Sequence, residues 1–283
     1  QTTAMYDANN RLLAVTDPAG GVTRYTYDLV GNLLSLTDAQ GQTTTFAYDA
    51  NARLTRVDAP LGATTRYEYD ANGNRTAMVD ALNQRTTFTY DAFNRQTAVT
   101  DALNQTTQYQ YDANGNRTRV IDANGNATNY QYDALNRLTR VTDALNYATQ
   151  YQYDAVGNRT GTIDARGNTT TSTYDALNRV TAVTIPITGT TTGTTRYEYD
   201  QAGNRTRVID ANDNATTYTY DALNRVTRVT DAQGNATQYA YDAVGNRTSV
   251  TDAANQTTTY AYDTLNRVTT ITNPSGKTQR MTY

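Results

Sequence analysis

The chain has 283 residues, 24 Lys+Arg against 27 Asp+Glu, a formal charge of -3, and no Cys, His or Trp. These figures exclude a disulfide framework, thiolate zinc sites, a Cys nucleophile, a Ser-His-Asp triad and histidine-ligated zinc. The near-neutral balance argues against an electrostatic nucleic-acid binder, and no apolar run approaches the roughly 20 residues of a membrane helix. What remains favours strands: Tyr occurs 24 times against 3 Phe, and Thr makes up about a fifth of the chain. The expectation is an ordered all-β chain, short of an oily core.

The predicted elements follow one rhythm. A tyrosine recurs at Tyr6, Tyr27, Tyr48, Tyr69, Tyr90, Tyr111, Tyr132, Tyr153 and Tyr174, always at the same interval. One longer step leads from Tyr174 to Tyr199, and the regular interval resumes through Tyr220, Tyr241, Tyr262 and Tyr283. All but Tyr283 are followed by Asp. Nothing in this pattern suggests a second domain, so residues 1–283 read as a single array.

Each repeat holds two turn signals. Asp112 with Gly115, Asp122 with Gly125, Asp133 with Asn136 and Asp143 with Asn146 show the form: Asp, two residues, then Gly or Asn. Asp at the first position accepts hydrogen bonds from the following backbone, and Gly or Asn tolerates the left-handed conformation that closes a bulged hairpin. Two turns leave two strands of about six residues. Alternation places Thr149, Tyr151 and Tyr153 on one face and Gln150 and Gln152 on the other. Counting outward from the turn sets Tyr130 beside Thr139 and Gln131 beside Leu138, which gives a Tyr, Thr and Val face backed by an Arg, Gln and Leu face.

A second period lies on the first. Turns after Tyr6, Tyr48, Tyr90, Tyr132, Tyr174, Tyr220 and Tyr262 place Arg directly after the left-handed position; the others interpose an extra Asn before Arg or Leu. Two spellings imply two packing environments along one rim and a structural unit made of a pair of repeats. The rhythm breaks twice. Near 58–63 the strand is expected to lose a residue to an irregular turn, and near 185–195 the array gains four residues.

The segments YDALNRLTRVTDALN and YDANGNRTRVIDANGN resemble the YD repeats of the Rhs family, found also in the C components of bacterial toxin complexes and in teneurins. The resemblance covers essentially the whole chain. It implies consecutive antiparallel β-hairpins joined into a long curved sheet, part of a hollow shell that encloses a toxin or effector segment. Partners implied are an enclosed polypeptide or neighbouring segments of the same chain, with self-assembly as a further option. The implied setting is a secreted or cell-surface bacterial protein. The self-cleaving closing segment of many family members has no counterpart here: Asp17-Pro18-Ala19-Gly20 and Asn273-Pro274-Ser275-Gly276 are ordinary turn copies. The array is therefore expected to belong to a longer polypeptide.

No residue is expected to act as a catalyst, and no metal or cofactor is expected. The turn aspartates are explained by backbone capping. Asp122-Ala123-Asn124-Gly125-Asn126 departs from a calcium loop in the place of its Gly and lacks a closing Glu. Sequons such as Asn116-Arg117-Thr118 and Asn158-Arg159-Thr160 are by-products of a turn Asn before a Thr-rich strand. The tyrosine series and the turns carry the architecture. A fibre or adhesin of the cell surface, with tyrosines open to carbohydrate, is the competing reading.

Overall fold

The computed structural model describes residues 2–188 and 191–283. Its contacts divide into two units, Gln1–Tyr147 and Ala148–Tyr283. Each unit is a meander of antiparallel strands in which every strand contacts its neighbours in sequence. The described residues form 27 strands and a single 3-10 turn, Pro60–Gly62.

One double repeat of the first unit represents the rest: strands Thr106–Tyr111, Arg117–Ile121, Ala127–Tyr132 and Leu138–Thr142. The Tyr-Asp turn Asp133–Arg137 is closed by Asn136 N donating to Asp133 O (3.0 Å) and Asp133 N donating to Arg137 O (3.0 Å). Asn136 sits at φ 61, the left-handed position expected of it. Turns of this kind line one rim, here called the tyrosine rim. The turn Asp122–Asn126 has the same bonds, with Gly125 at φ 83, and belongs to the opposite, far rim.

The two rims differ in register. Beyond the far-rim turn, Ile121, Val120 and Arg119 pair in order with Ala127, Thr128 and Asn129. Beyond the tyrosine-rim turn the order breaks: Tyr132 pairs with Leu138, but Gln131 pairs with Arg140 and Tyr130 with Val141. Thr139 is the unpaired extra residue of a β-bulge, which shifts the alternation by one place. This corrects the expected pairing of Gln131 with Leu138 and of Tyr130 with Thr139. Leu138 joins Tyr130, Tyr132 and Val141 on the tyrosine face. Arg117, opposite Tyr111, joins that face for the same reason.

The oily core is nearly absent, as expected. Ala14 and Ala77 are the buried apolar side chains among the described residues, and no large side chain is fully buried. Stabilisation comes instead from cross-strand pairs of an aromatic with a β-branched or aliphatic residue. Tyr109 with Val120, Tyr130 with Val141 and Tyr260 with Ile271 are examples, each contributing roughly 0.2–1 kcal/mol.

The first irregular place differs from expectation. Strand Leu54–Asp58 keeps the usual five residues, and the turn that follows has the usual length, with Ala59 N donating to Ala63 O (2.8 Å). It is irregular in its backbone, since Leu61 (φ 63) and Gly62 (φ 82) are both left-handed. The extra residues of the second place lengthen two strands, Val180–Thr188 and Thr191–Tyr199, which are 9 residues each. Gly189 lies outside the described residues. Gly193 has to be glycine, because a Cβ there would come within 2.9 Å of both Ala211 and Ile187.

Candidate functional site

The side chains that do most in this molecule lie along the tyrosine rim and the tyrosine face. Each Tyr-Asp aspartate holds its own turn. Asp133 accepts from the amides of Leu135 (2.9 Å) and Arg137 (3.0 Å) through Oδ1, and from Arg137 Nε (2.7 Å) through Oδ2. Asp112 accepts from the amides of Asn114 (3.0 Å) and Asn116 (2.8 Å) and from Asn116 Nδ2 (2.9 Å). The two spellings thus have equal length, and the Asn takes the place of the Arg rather than being added before it.

Their partners across the rim differ. In the Arg spelling, the guanidinium reaches the backbone of the next turn: Arg53 Nη1 donates to Asp70 O (2.8 Å), Arg95 to Asp112 O (2.8 Å) and Arg225 to Asp242 O (2.9 Å). It also lies over the next tyrosine ring, at 4.8 Å for Arg53 on Tyr69 and 4.6 Å for Arg225 on Tyr241. In the Asn spelling, Nδ2 reaches the side chain of the next left-handed Asn: Asn74 to Asn94 (2.8 Å), Asn116 to Asn136 (2.7 Å), Asn204 to Asn224 (2.8 Å) and Asn246 to Asn266 (3.0 Å). Asn158 does the same with Asn178 (2.8 Å), so these sequon amides are engaged. Turns are stapled forward, alternately by Arg and by Asn.

The tyrosines close the seams between hairpins. Backbone pairing of Arg117–Ile121 with Ala127–Tyr132 stops at Arg119 and Asn129. Past that point, the Tyr132 phenol donates to the Arg117 carbonyl (3.1 Å). The same bond joins Tyr69 to Leu54, Tyr90 to Arg75, Tyr111 to Gln96 and Tyr174 to Arg159. It also joins Tyr199 to Val180, Tyr220 to Arg205, Tyr241 to Val226, Tyr262 to Arg247 and Tyr283 to Val268. Tyr6, Tyr27 and Tyr48 pair with Leu12, Leu33 and Leu54, and Tyr153 pairs with Arg159. Burial raises the Tyr132 phenol above its ordinary value, with Arg117 opposing.

On the face itself, the bulge delivers a second set of cation–ring contacts. Arg117 lies 5.6 Å from the Tyr109 ring and 5.8 Å from the Tyr130 ring. Arg75, Arg205 and Arg247 are likewise held between two rings. Simple alternation missed these stacks, because it placed Arg117 on the opposite face. The signal was present in the regular Arg that opens every second outgoing strand.

The electrostatics are those of caps. The Arg137 amide and then its side chain hold the Asp133 carboxyl below the ordinary carboxylate range, against desolvation. The Asn116 side chain does so first for Asp112, and Asn126 for Asp122. On the far rim, Asp122 accepts from the amides of Asn124 (2.9 Å) and Asn126 (2.8 Å) and from Asn126 Nδ2 (2.9 Å), while Asp143 accepts from the amides of Leu145 and Tyr147 (both 2.9 Å). Among the described residues, no three carboxylates converge in a way that could hold a metal ion. Among the described residues no helix is long and apolar enough to cross a membrane.

Comparison with known proteins gives a consistent answer. The Teneurin YD-shell family matches residues 39–170 and 116–277, and the RHS Repeat matches residues 6–43. No curated protein matches. Among solved structures, TcdB2-TccC3 is similar at a TM-score of 0.60 and 18% identity, covering 96% of this chain and 20% of that one. TcdB2-TccC3-Cdc42 is similar at 0.59 and 17%, covering 96% of this chain and 19% of that one. The chain thus spans about a fifth of the length of these structural neighbours. At this identity the likeness speaks for a shared fold.

Proposed function

Because the chain belongs to the Teneurin YD-shell family, we propose that it is a length of non-catalytic wall in a β-shell that encloses a polypeptide segment, an effector or toxin, in a secreted or surface-exposed bacterial protein. The observation that carries this reading is the family match, which extends from residue 39 to residue 277. The geometry supports it. A wall one layer thick has no core, so its strength must come from bonds between consecutive hairpins, and the phenol–carbonyl, Arg and Asn staples are such bonds. A mechanical role for the tyrosine series and the capped turns fits the same picture. A single continuous array fits too. The capping carboxylates are engaged by backbone amides and held ionised, which suits scaffolding rather than proton transfer.

The test is limited proteolysis of the full source polypeptide, read by mass spectrometry. A non-repetitive segment that resists protease, and becomes sensitive once the array is melted, is the expected result. A segment digested equally fast before and after melting would remove the enclosing role and leave the fibre reading.

A further inference from the structure

We propose that the chain associates head to tail with a second copy of itself, the far rim of the first unit seating on the tyrosine rim of the second. The third residue of each turn carries this inference. In the first unit, the far rim presents Leu61, Leu82, Leu103 and Leu145 at this position, the first fully exposed and the others about three-quarters exposed, with Asn124 interrupting the row and Ala19 and Gln40 preceding it. In the second unit, the tyrosine rim presents Val156, Leu177, Leu223, Val244 and Leu265, each 66–74% exposed, with Ala202 interrupting the row. The far rim of the second unit is mostly polar at the same position, with Arg166, Asn212, Gln233 and Ser275. The tyrosine rim of the first unit mixes Asn9, Asn51, Asn72 and Asn114 with Val30, Phe93 and Leu135. Apolar residues are thus concentrated on one half of each rim, although the turn makes no demand for them.

The occupant follows from spacing. Turns on one rim come once per two strands, about 9.6 Å apart. An α-helix repeats every ~5.4 Å and does not keep step with that interval. A rim of the same repeat keeps step along its whole length, so the two apolar rows interlock tooth into gap. Leu61 adds an independent sign. It holds a left-handed backbone, which bulky side chains avoid, while fully exposed (φ 63, 102%). Local folding gains nothing from a leucine there. The rows bury on the order of 1,000 Å² together, the lower limit of a specific interface, so the association is weak. Unlike surfaces meet, so association runs past the dimer, into a ring or an open filament.

Sedimentation velocity on the whole chain tests this with two double variants, L82N/L103N on the far rim and L177N/L223N on the tyrosine rim. Circular dichroism and melting temperature should match the parent, because all four positions are exposed turn sites. The parent should grow beyond dimers with concentration. Each variant alone should associate at least tenfold more weakly, and an equimolar mixture should form dimers and stop there, each variant supplying the rim the other lacks. Leu61→Gly should raise the melting temperature yet weaken association. A parent that stays monomeric, a parent that stops at dimers, or a mixture that stays monomeric would each overturn the proposal.

Discussion

At the scale of single residues, the rim staples have a visible gap. Asn32 donates to its own Asp28 (2.8 Å), and the next left-handed position is Ala52 at φ 58, which offers no side-chain oxygen. Ala52→Asn supplies both the missing acceptor and a residue that tolerates this backbone. It should stabilise the chain by about 1 kcal/mol, read as a shift in the urea midpoint at unchanged slope. A midpoint that falls would mean the Asn–Asn contacts contribute nothing. The turn aspartates give a second expectation. Amides and side-chain donors bind their ionised form in the folded chain, so the folded pKa lies below the unfolded one, for Asp112, Asp133, Asp154 and Asp175 among many. Their stabilisation is complete above the unfolded value near 3.9 and is lost as pH falls through the lower folded values. Melting temperature should therefore be flat from about pH 7 to 5 and drop steeply below about pH 4. A drop centred near pH 6 would point to other groups.

At the scale of strands, the tyrosine face has one thin place. Arg159 contacts the Tyr151 ring at 5.7 Å, but the position where a second ring would lie is Ser172, paired with Val183. Ser172→Tyr should complete the stack and add about 1 kcal/mol from the ring pair and the cation. A lower melting temperature in this variant would show that the stacks are incidental. This scale also shows what the sequence discloses and what it hides. Asp133 and Asn136 announce their turn through residue types that only a left-handed closing position favours, and Tyr130, Tyr132 and Val141 announce their face by alternation. The bulge at Thr139 is silent, because a bulge is an extra backbone residue and Thr suits a strand either way. One unseen residue in each outgoing strand, Thr139 after Leu138 and Thr118 after Arg117, put both on the wrong face, and with them the ring–cation stacks. The alternation of Arg and Asn was legible, but that one reaches a carbonyl and the other a side chain depends on distances across 17 and 20 residues.

At the scale of the whole molecule, stability is close to a sum over neighbouring hairpins, as in other repeat proteins. Junction type then matters more than length. Deleting positions 91–132 removes two repeats but again sets an Asn-type turn before an Arg-type turn, with Asn74 facing Asn136. Deleting positions 91–111 removes only one repeat, yet it sets Asn74 against Gly115, which offers no side chain. Each deletion keeps one of the three staples that span this stretch, so the two should unfold within about 1 kcal/mol of each other in urea although one loses twice the length. A longer deletion that is clearly the less stable would show that chain length outweighs the staples. The forward direction of those staples bears on synthesis. Arg53 and Asn74 precede the groups they reach, Asp70 and Asn94, whereas the Tyr132 phenol reaches back to a strand already made. A hairpin leaving the ribosome therefore meets a finished docking surface and needs nothing still untranslated. Folding can keep pace with translation from the first hairpin onward, each completed hairpin serving as the template for the next.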